Sequence, residues 1–312
     1  MSLVGRHRRA ALPALGQFGD FEGATGWLGS PPLTAEALRG KVVLVDFWTF
    51  TCINWLRTEP YVRAWAQAYR DDGLVVIGVH TPEFTFEHET ESVRQATVER
   101  RSDYPVALDN DYAIWRSFAN HYWPALYFVD RDGIIRDQHP GEGRYTQSER
   151  VIQSLLGVER SLVEVEATGV EAEADWNNLR SPETYLGYAR RERMAPFEAL
   201  RLNEWGLAGE WATGKEDVVL ERAGGGIAYR FHARDAHLVL SNATSEPIPF
   251  RVLLDGEAPG RSHGVDVDER GNGVLGTGRL YQLVRQDGEA RERTLEISFA
   301  EPGAAAYVFT FG

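Results

Sequence analysis

The stretch VDFWTFTCINWLRTEP, residues 45–60, holds the one cysteine of the chain, Cys52. It stands where an apolar run hands over to a helical pattern. Its sulfur would therefore face the unsatisfied N–H groups and the positive end of a helix. Both favour the thiolate, the form that attacks disulfides. Thr49, Thr51 and Asn54 flank it and could add hydrogen bonds to the sulfur or to a bound oxyanion. Three residues after Cys52, where a dithiol enzyme carries its resolving cysteine, stands Trp55. Cys52 can still form a mixed disulfide with a substrate, a small thiol or a second copy of the chain, or be oxidised to sulfenic acid. Release would then need an external thiol. The opposing reading is an inert, apolar cysteine. Trp55 reads as packing over the cysteine, with an exposed docking aromatic as the alternative.

The elements that must position this cysteine are legible around it. Residues 42–48, VVLVDFW, form a short apolar run suited to a strand buried on both faces. Residues 53–70 read as a helix with Pro60 predicting a kink. A second buried strand follows at 73–80, a polar helix at 89–101, a short strand at 104–109 and a helix through Tyr112, Ile114, Trp115 and Phe118. Residues 124–130 and 133–140 flank the turn RDG as a hairpin. Residues 146–157 read as a helix capped by Thr146 or Ser148 and ended by Gly157. This alternation is an α/β layer design ending near residue 160. Residues 161–195 form a connection, with a short helix at 181–194. From about 196 to 312 the chain alternates apolar and polar residues between Gly- and Asp-rich turns, the pattern of an antiparallel β-sandwich or jelly roll.

Composition narrows the function classes. With 312 residues and 43% apolar content the chain can build two cored domains. A net charge of −13 argues against nucleic acid and anionic membrane surfaces as partners. A single cysteine forbids an internal disulfide, so cysteine count says nothing about compartment. No apolar run reaches the ~20 residues of a spanning helix, and no signal peptide is evident. The chain reads as soluble as written. It is cytoplasmic on this evidence, or extracytoplasmic if an upstream segment was removed.

A strand carrying VDFW, a cysteine opening a helix and a proline starting a later strand and hairpin resemble thioredoxin-fold proteins. The extra strand and helix between residues 73 and 109 are similar to the larger TlpA and peroxiredoxin-related type. WTFTCIN, GVHTPEF, SPETYLGY, AYRFHARD and HGVDVDERGNG narrow the resemblance to the C-terminal part of DipZ-type thiol-disulfide proteins, from about residue 15 to the end. That group usually reads C-I-N-C where this chain reads C-I-N-W. The resemblance implies a thioredoxin-like domain over 1–160 and a carbohydrate-binding-module-like sandwich over 196–312. It also implies a buried acid at Asp46, six residues before Cys52, and a cis proline at Pro124 that positions substrate backbone. Trp123 and His80 would support the site. The implied activity is thiol-disulfide exchange, with a protein thiol or disulfide or a low-molecular-weight thiol as partner and no cofactor. A redox-inactive binding module is the first alternative. A one-cysteine peroxidase is the second, since Thr49 fits the pattern P-x-x-x-T-x-x-C while Val45 replaces its proline.

Other clusters carry weaker chemistry. His80, Glu83, Glu87 and His88 have spacings open to a metal, although solvated acids and capping are the simpler reading. His80 also ends a central strand, where open α/β sheets place their sites. Trp176, Tyr185, Tyr188, Trp205, Trp211, Tyr229 and Tyr281 could stack on a glycan or fill the sandwich core. DVDERGNG, 266–273, reads as a calcium loop or a tight acidic turn. AGGGIAYR lacks phosphate-loop spacing and reads as a turn before a strand.

Overall fold

The computed structural model describes residues 12–244 and 246–312. Its contacts divide the chain into two units. One contains the stretch up to Thr49, Thr58–Pro82 and Val93–Val165. The other contains Phe50–Arg57, Glu83–Ser92 and Glu166–Gly312.

The first unit is built on a seven-stranded sheet. Its strands are β1 (Gly16–Gln17), β2 (Gly26–Leu28), β3 (Val42–Trp48), β4 (Leu74–His80), β5 (Val106–Leu108), β6 (Ala125–Val129) and β7 (Ile134–Pro140), in the order β1-β7-β6-β3-β4-β5-β2. β3, β4 and β5 run parallel, and β6 and β7 return antiparallel. Parallel neighbours need crossover helices. These are α1 (Ile53–Ala68) and α2 (Thr90–Arg100), and α3 (Ala113–Ser117) then leads into β6. Every residue of β3 is buried, as its continuous apolar run predicts for a central strand. Val43, Val45, Phe47, Ile77, Val79 and Tyr127 share one core on a single face of the sheet. α1 runs through Pro60 without interruption. α4 (Tyr145–Leu156) begins after Arg144, which is left-handed and makes no side-chain cap bond. Neither Thr146 nor Ser148 caps it, and Ser148 is buried within the helix. Gly157 closes it at φ 75°, a conformation that glycine adopts without a Cβ penalty.

In the second unit two antiparallel sheets enclose one apolar core. The strands are β8 (Thr184–Tyr185), β9 (Trp205–Ala208), β10 (Trp211–Thr213), β11 (Val218–Leu220), β12 (Gly226–His232), β13 (Asp235–Asn242), β14 (Ile248–Leu254), β15 (Asn272–Leu275), β16 (Arg279–Arg285), β17 (Glu292–Phe299) and β18 (Ala304–Phe311). One sheet has the order β10-β11-β18-β13-β16, and the other β15-β14-β17-β12-β9. Tyr229 from β12 packs on Phe309 and Phe311 of β18, and these rings join the two sheets. The short helix expected at 181–194 is absent. β11 covers β18 at Ala305 and Ala306, and β8 pairs with Val308 and Phe309 of the same strand. An open strand edge outweighs helix propensity here, because its unpaired N–H and C=O groups give the segment ready partners. The Thr184 hydroxyl, 2.8 Å from that of Tyr229, anchors the pairing. Among the described residues no helix is long and apolar enough to cross a membrane.

Candidate functional site

In the first unit, β3 carries Asp46 fully buried, in register with Gly78 on β4 and Leu126 on β6. Burial pushes the nearby Tyr104 phenol well up, and the charges of Glu59 and Asp46 add to the effect. Thr49, also buried, faces His80: its hydroxyl lies 3.5 Å from Nε2. The His80 ring meets Trp48 edge-on. The Trp123–Pro124 bond is cis, and the Trp123 indole N–H donates to the Thr81 carbonyl at 3.0 Å.

The second unit holds Thr51, Cys52, Asn54 and Trp55. Cys52 is half-buried and enters α1, whose first bond runs from the Leu56 N–H to the Cys52 carbonyl at 3.0 Å. Backbone N–H groups of Trp55 and Asn54 act on the thiol and favour the thiolate, as a helix start should. They are outweighed. Burial pushes the Cys52 thiol well above its ordinary value, and the carboxylates of Glu183 and Glu83 raise it further. The activation expected from the helix terminus is reversed because desolvation and two negative charges oppose it.

The expectation for Thr51 changes at this turn, while Trp55 follows its packing reading. The Thr51 hydroxyl donates to the buried carboxylate of Glu87, so its proton is committed away from the sulfur. Glu87 also accepts the N–H groups of Glu83 and Phe84 and thereby shapes the loop before its own 3-10 turn. Trp55 is fully buried and presents no exposed aromatic.

Sequence reasoning missed the group that acts on Cys52 through its charge. Tyr185 places its hydroxyl 2.8 Å from Glu83 Oε1 and 2.9 Å from Glu183 Oε2. Arg190 Nη1 donates to Glu83 Oε1 at 2.9 Å, and its guanidinium lies 3.5 Å over the Tyr185 ring. Desolvation and the like charge of Glu83 push the Glu183 carboxyl up to about 7, against the pull of Tyr185 and Arg190. Glu183 is exposed as a residue. A cleft of about 350 Å³ opens beside them, lined by Glu183, Tyr185, Arg190, Glu192 and Arg193. The signal in the sequence was the segment SPETYLGYAR, but nothing local tied it to Cys52.

The weaker clusters resolve differently. Among the described residues no group of three or more His, Cys, Asp or Glu is arranged to hold a metal. Asp268 accepts the backbone N–H groups of Arg270 and Asn272 in a tight turn, and Asp266 pairs with Arg279 at 2.6 Å. Trp205, Tyr229 and Tyr281 lie in the core, leaving Trp176 and Tyr188 as the exposed aromatics of that set.

Residues 17–138 match the model of the AhpC/TSA family, and residues 181–312 match that of the thioredoxin-like C-terminal domain. The chain has a thioredoxin-like fold in its N-terminal half. It is 33% identical to Protein DipZ of Mycobacterium bovis and of Mycobacterium tuberculosis, over 97% of this chain and 44% of each relative. It thus spans less than half the length of the first curated relatives it matches. The thiol-disulfide oxidoreductase YkuV of Bacillus subtilis is 27% identical over 45% of this chain and 95% of that protein. A thioredoxin-like protein solved in its oxidised form is 27% identical, with a TM-score of 0.43 over 46% of this chain and 97% of its own. Cys52 and the turn that carries it fall within the stretch matched to the AhpC/TSA family.

Proposed function

We propose that the chain is a single-thiol oxidoreductase of the thioredoxin-like class, with Cys52 as nucleophile and no cysteine of its own for resolution. The supporting observation is the entry of Cys52 into α1 with the N–H groups of Trp55 and Asn54 acting on the thiol. The name of YkuV, a thiol-disulfide oxidoreductase, points the same way. In this reading a thioredoxin-like domain spans 1–160, a connection 161–195 and a β-rich domain 196–312. Asp46 is the buried acid and Pro124 positions the partner's backbone. Thr49, Thr51, Asn54, Trp55, Trp123 and His80 shape the surroundings.

The chemistry is one half of a thiol-disulfide cycle. Cys52 loses its proton to solvent and its sulfur attacks a disulfide of a protein or small molecule. A Cys52–partner S–S bond forms, the partner's own S–S bond breaks, and its other half leaves as a thiolate. An external thiol then attacks the mixed disulfide and returns Cys52 to its reduced form. The elevated thiol makes the attacking species scarce at neutral pH. Incubation with a small disulfide across pH 6–10, followed by intact-mass measurement, tests this reading. A Cys52 adduct whose rate climbs with pH supports it.

The raised thiol favours a second reading, a redox-silent binding module. No adduct at pH 9–10 in the folded chain would select it. A one-cysteine peroxidase needs abundant thiolate at neutral pH, which the same elevation opposes.

A further inference from the structure

β7 ends in His139 and Pro140, and residues 141–144, GEGR, lead from it into α4. His139 stands in register with Leu126 on β6 and is 6% exposed. A neutral imidazole has one donor and one acceptor nitrogen. Neither nitrogen of His139 meets a hydrogen-bond partner among the described residues. A buried polar group in that state weakens the packing that encloses it. The loop that follows bends through three left-handed residues: Gly141 at φ 81°, Gly143 at φ 87° and Arg144 at φ 51°. Arg144 holds a Cβ against that conformation, which the two glycines do not. The loop is tied down by the Gly141 N–H, which donates to the Pro124 carbonyl at 2.8 Å. Burial holds the His139 imidazole below the ordinary histidine range, and the charge of Arg144 adds to that effect. The backbone of Glu142 and Gly143 and the charge of Asp137 on β7 pull the other way, without closing a hydrogen bond to the ring. Of the neighbouring elements, β6 contributes the apolar Leu126, and α4 opens with Tyr145, whose phenol burial pushes up and keeps uncharged in acid.

We propose that His139 is an acid-sensitive latch under the 141–144 loop: when its ring takes up a proton, the loop opens and the bond from Gly141 to the Pro124 carbonyl is released. An imidazolium has two N–H groups to satisfy, where the closed loop satisfies neither nitrogen. Its charge also meets that of Arg144 out of reach of water. Opening the loop hydrates the ring and separates the two cations. The open loop therefore binds the proton more readily than the closed one, and acid favours opening. The left-handed residues at both ends of the loop supply the hinge. Pro124 directly precedes β6, so its carbonyl is freed at the strand end that positions a partner's backbone in the function proposed above. The latch itself depends neither on that role nor on the reactivity of Cys52.

The test is hydrogen exchange of the full chain by mass spectrometry between pH 5 and 7.5, with each rate divided by the intrinsic rate at that pH. Peptides covering 138–145 report the loop, and peptides covering β3 report the buried centre of the sheet. Loop protection should be constant above about pH 6.5 and fall by up to about tenfold per pH unit below it, the limit for one linked proton. Protection of β3 should not follow. His139→Gln and His139→Phe should each hold loop protection level across the range, the second keeping an aromatic ring while removing both nitrogens. Near-UV circular dichroism shows that the variant used is folded. Loop protection that does not change with pH in the parent chain would overturn the inference. So would an equal fall in a folded His139 variant, or a fall that β3 shares, since that is loosening of the whole unit.

Discussion

The Thr51 hydroxyl donates to the Glu87 carboxylate, and both side chains are buried. This bond joins the turn that presents Cys52 to the loop that carries Glu83. Thr51 neighbours the nucleophile, yet its hydroxyl stabilises structure and leaves the sulfur to backbone donors. Thr51→Val should therefore destabilise the chain by about 1–3 kcal/mol, the cost of leaving a buried acceptor without its donor. Thermal unfolding measures this. A midpoint equal to that of the parent would show that the bond contributes nothing.

The elevated Cys52 thiol has a defined pH signature. Its alkylation by iodoacetamide should be slow at pH 7 and still accelerating above pH 9, later than the ~8.5 of a free thiol. The folded chain holds this proton at a pH where the unfolded chain has released it. Stability should therefore fall as pH rises above about 8.5, towards the folded value. Cys52→Ser should flatten that part of the stability profile. A rate plateau below pH 8 would contradict the assignment.

Acid should act through His237. Burial first, and then the charge of Arg57, pull this imidazole down to about 3, while its Nδ1 lies 3.2 Å from the Thr310 carbonyl. Its folded value lies below its unfolded one, so the unfolded chain binds the proton more readily. Stability is complete above about pH 6.5 and is lost as pH falls towards 3, by about 5 kcal/mol in total. His237→Gln should move the acid-unfolding midpoint to lower pH, as followed by circular dichroism. An unchanged midpoint would place acid sensitivity elsewhere.

Restoring a dithiol at position 55 should be costly. Trp55 is fully buried, and replacing an indole by a thiol leaves a cavity worth about 3–5 kcal/mol. Trp55→Cys should lower the unfolding midpoint in the reduced state, even if the new thiol speeds insulin reduction. Activity then has to be compared per folded molecule. A variant as stable as the parent would show that the pocket around Trp55 collapses readily.

Much of the thioredoxin-like architecture was legible because its signals are local. A continuous apolar run marked β3, β-branched residues marked β4, and RDG marked the β6–β7 turn. The same logic failed at 181–194. There the helical pattern was real, but the open edge of β18 lay far away in sequence. Thr184 and Tyr185 gained more from pairing with it than from a helix of their own.

The sequence by itself determined that one cysteine opens a helix, that Trp55 stands three residues after it, and that Asp46 and Pro124 stand at thioredoxin-like spacings. Tertiary structure decided the chemistry of that cysteine. Glu83 and Glu183 come from separate segments, and their charges act through space on Cys52 whatever the length of chain between them. Burial adds to that effect, and burial is a property of everything packed around an atom. Helix-start donors can be read from neighbouring residues, but the desolvation and carboxylates that outweigh them cannot.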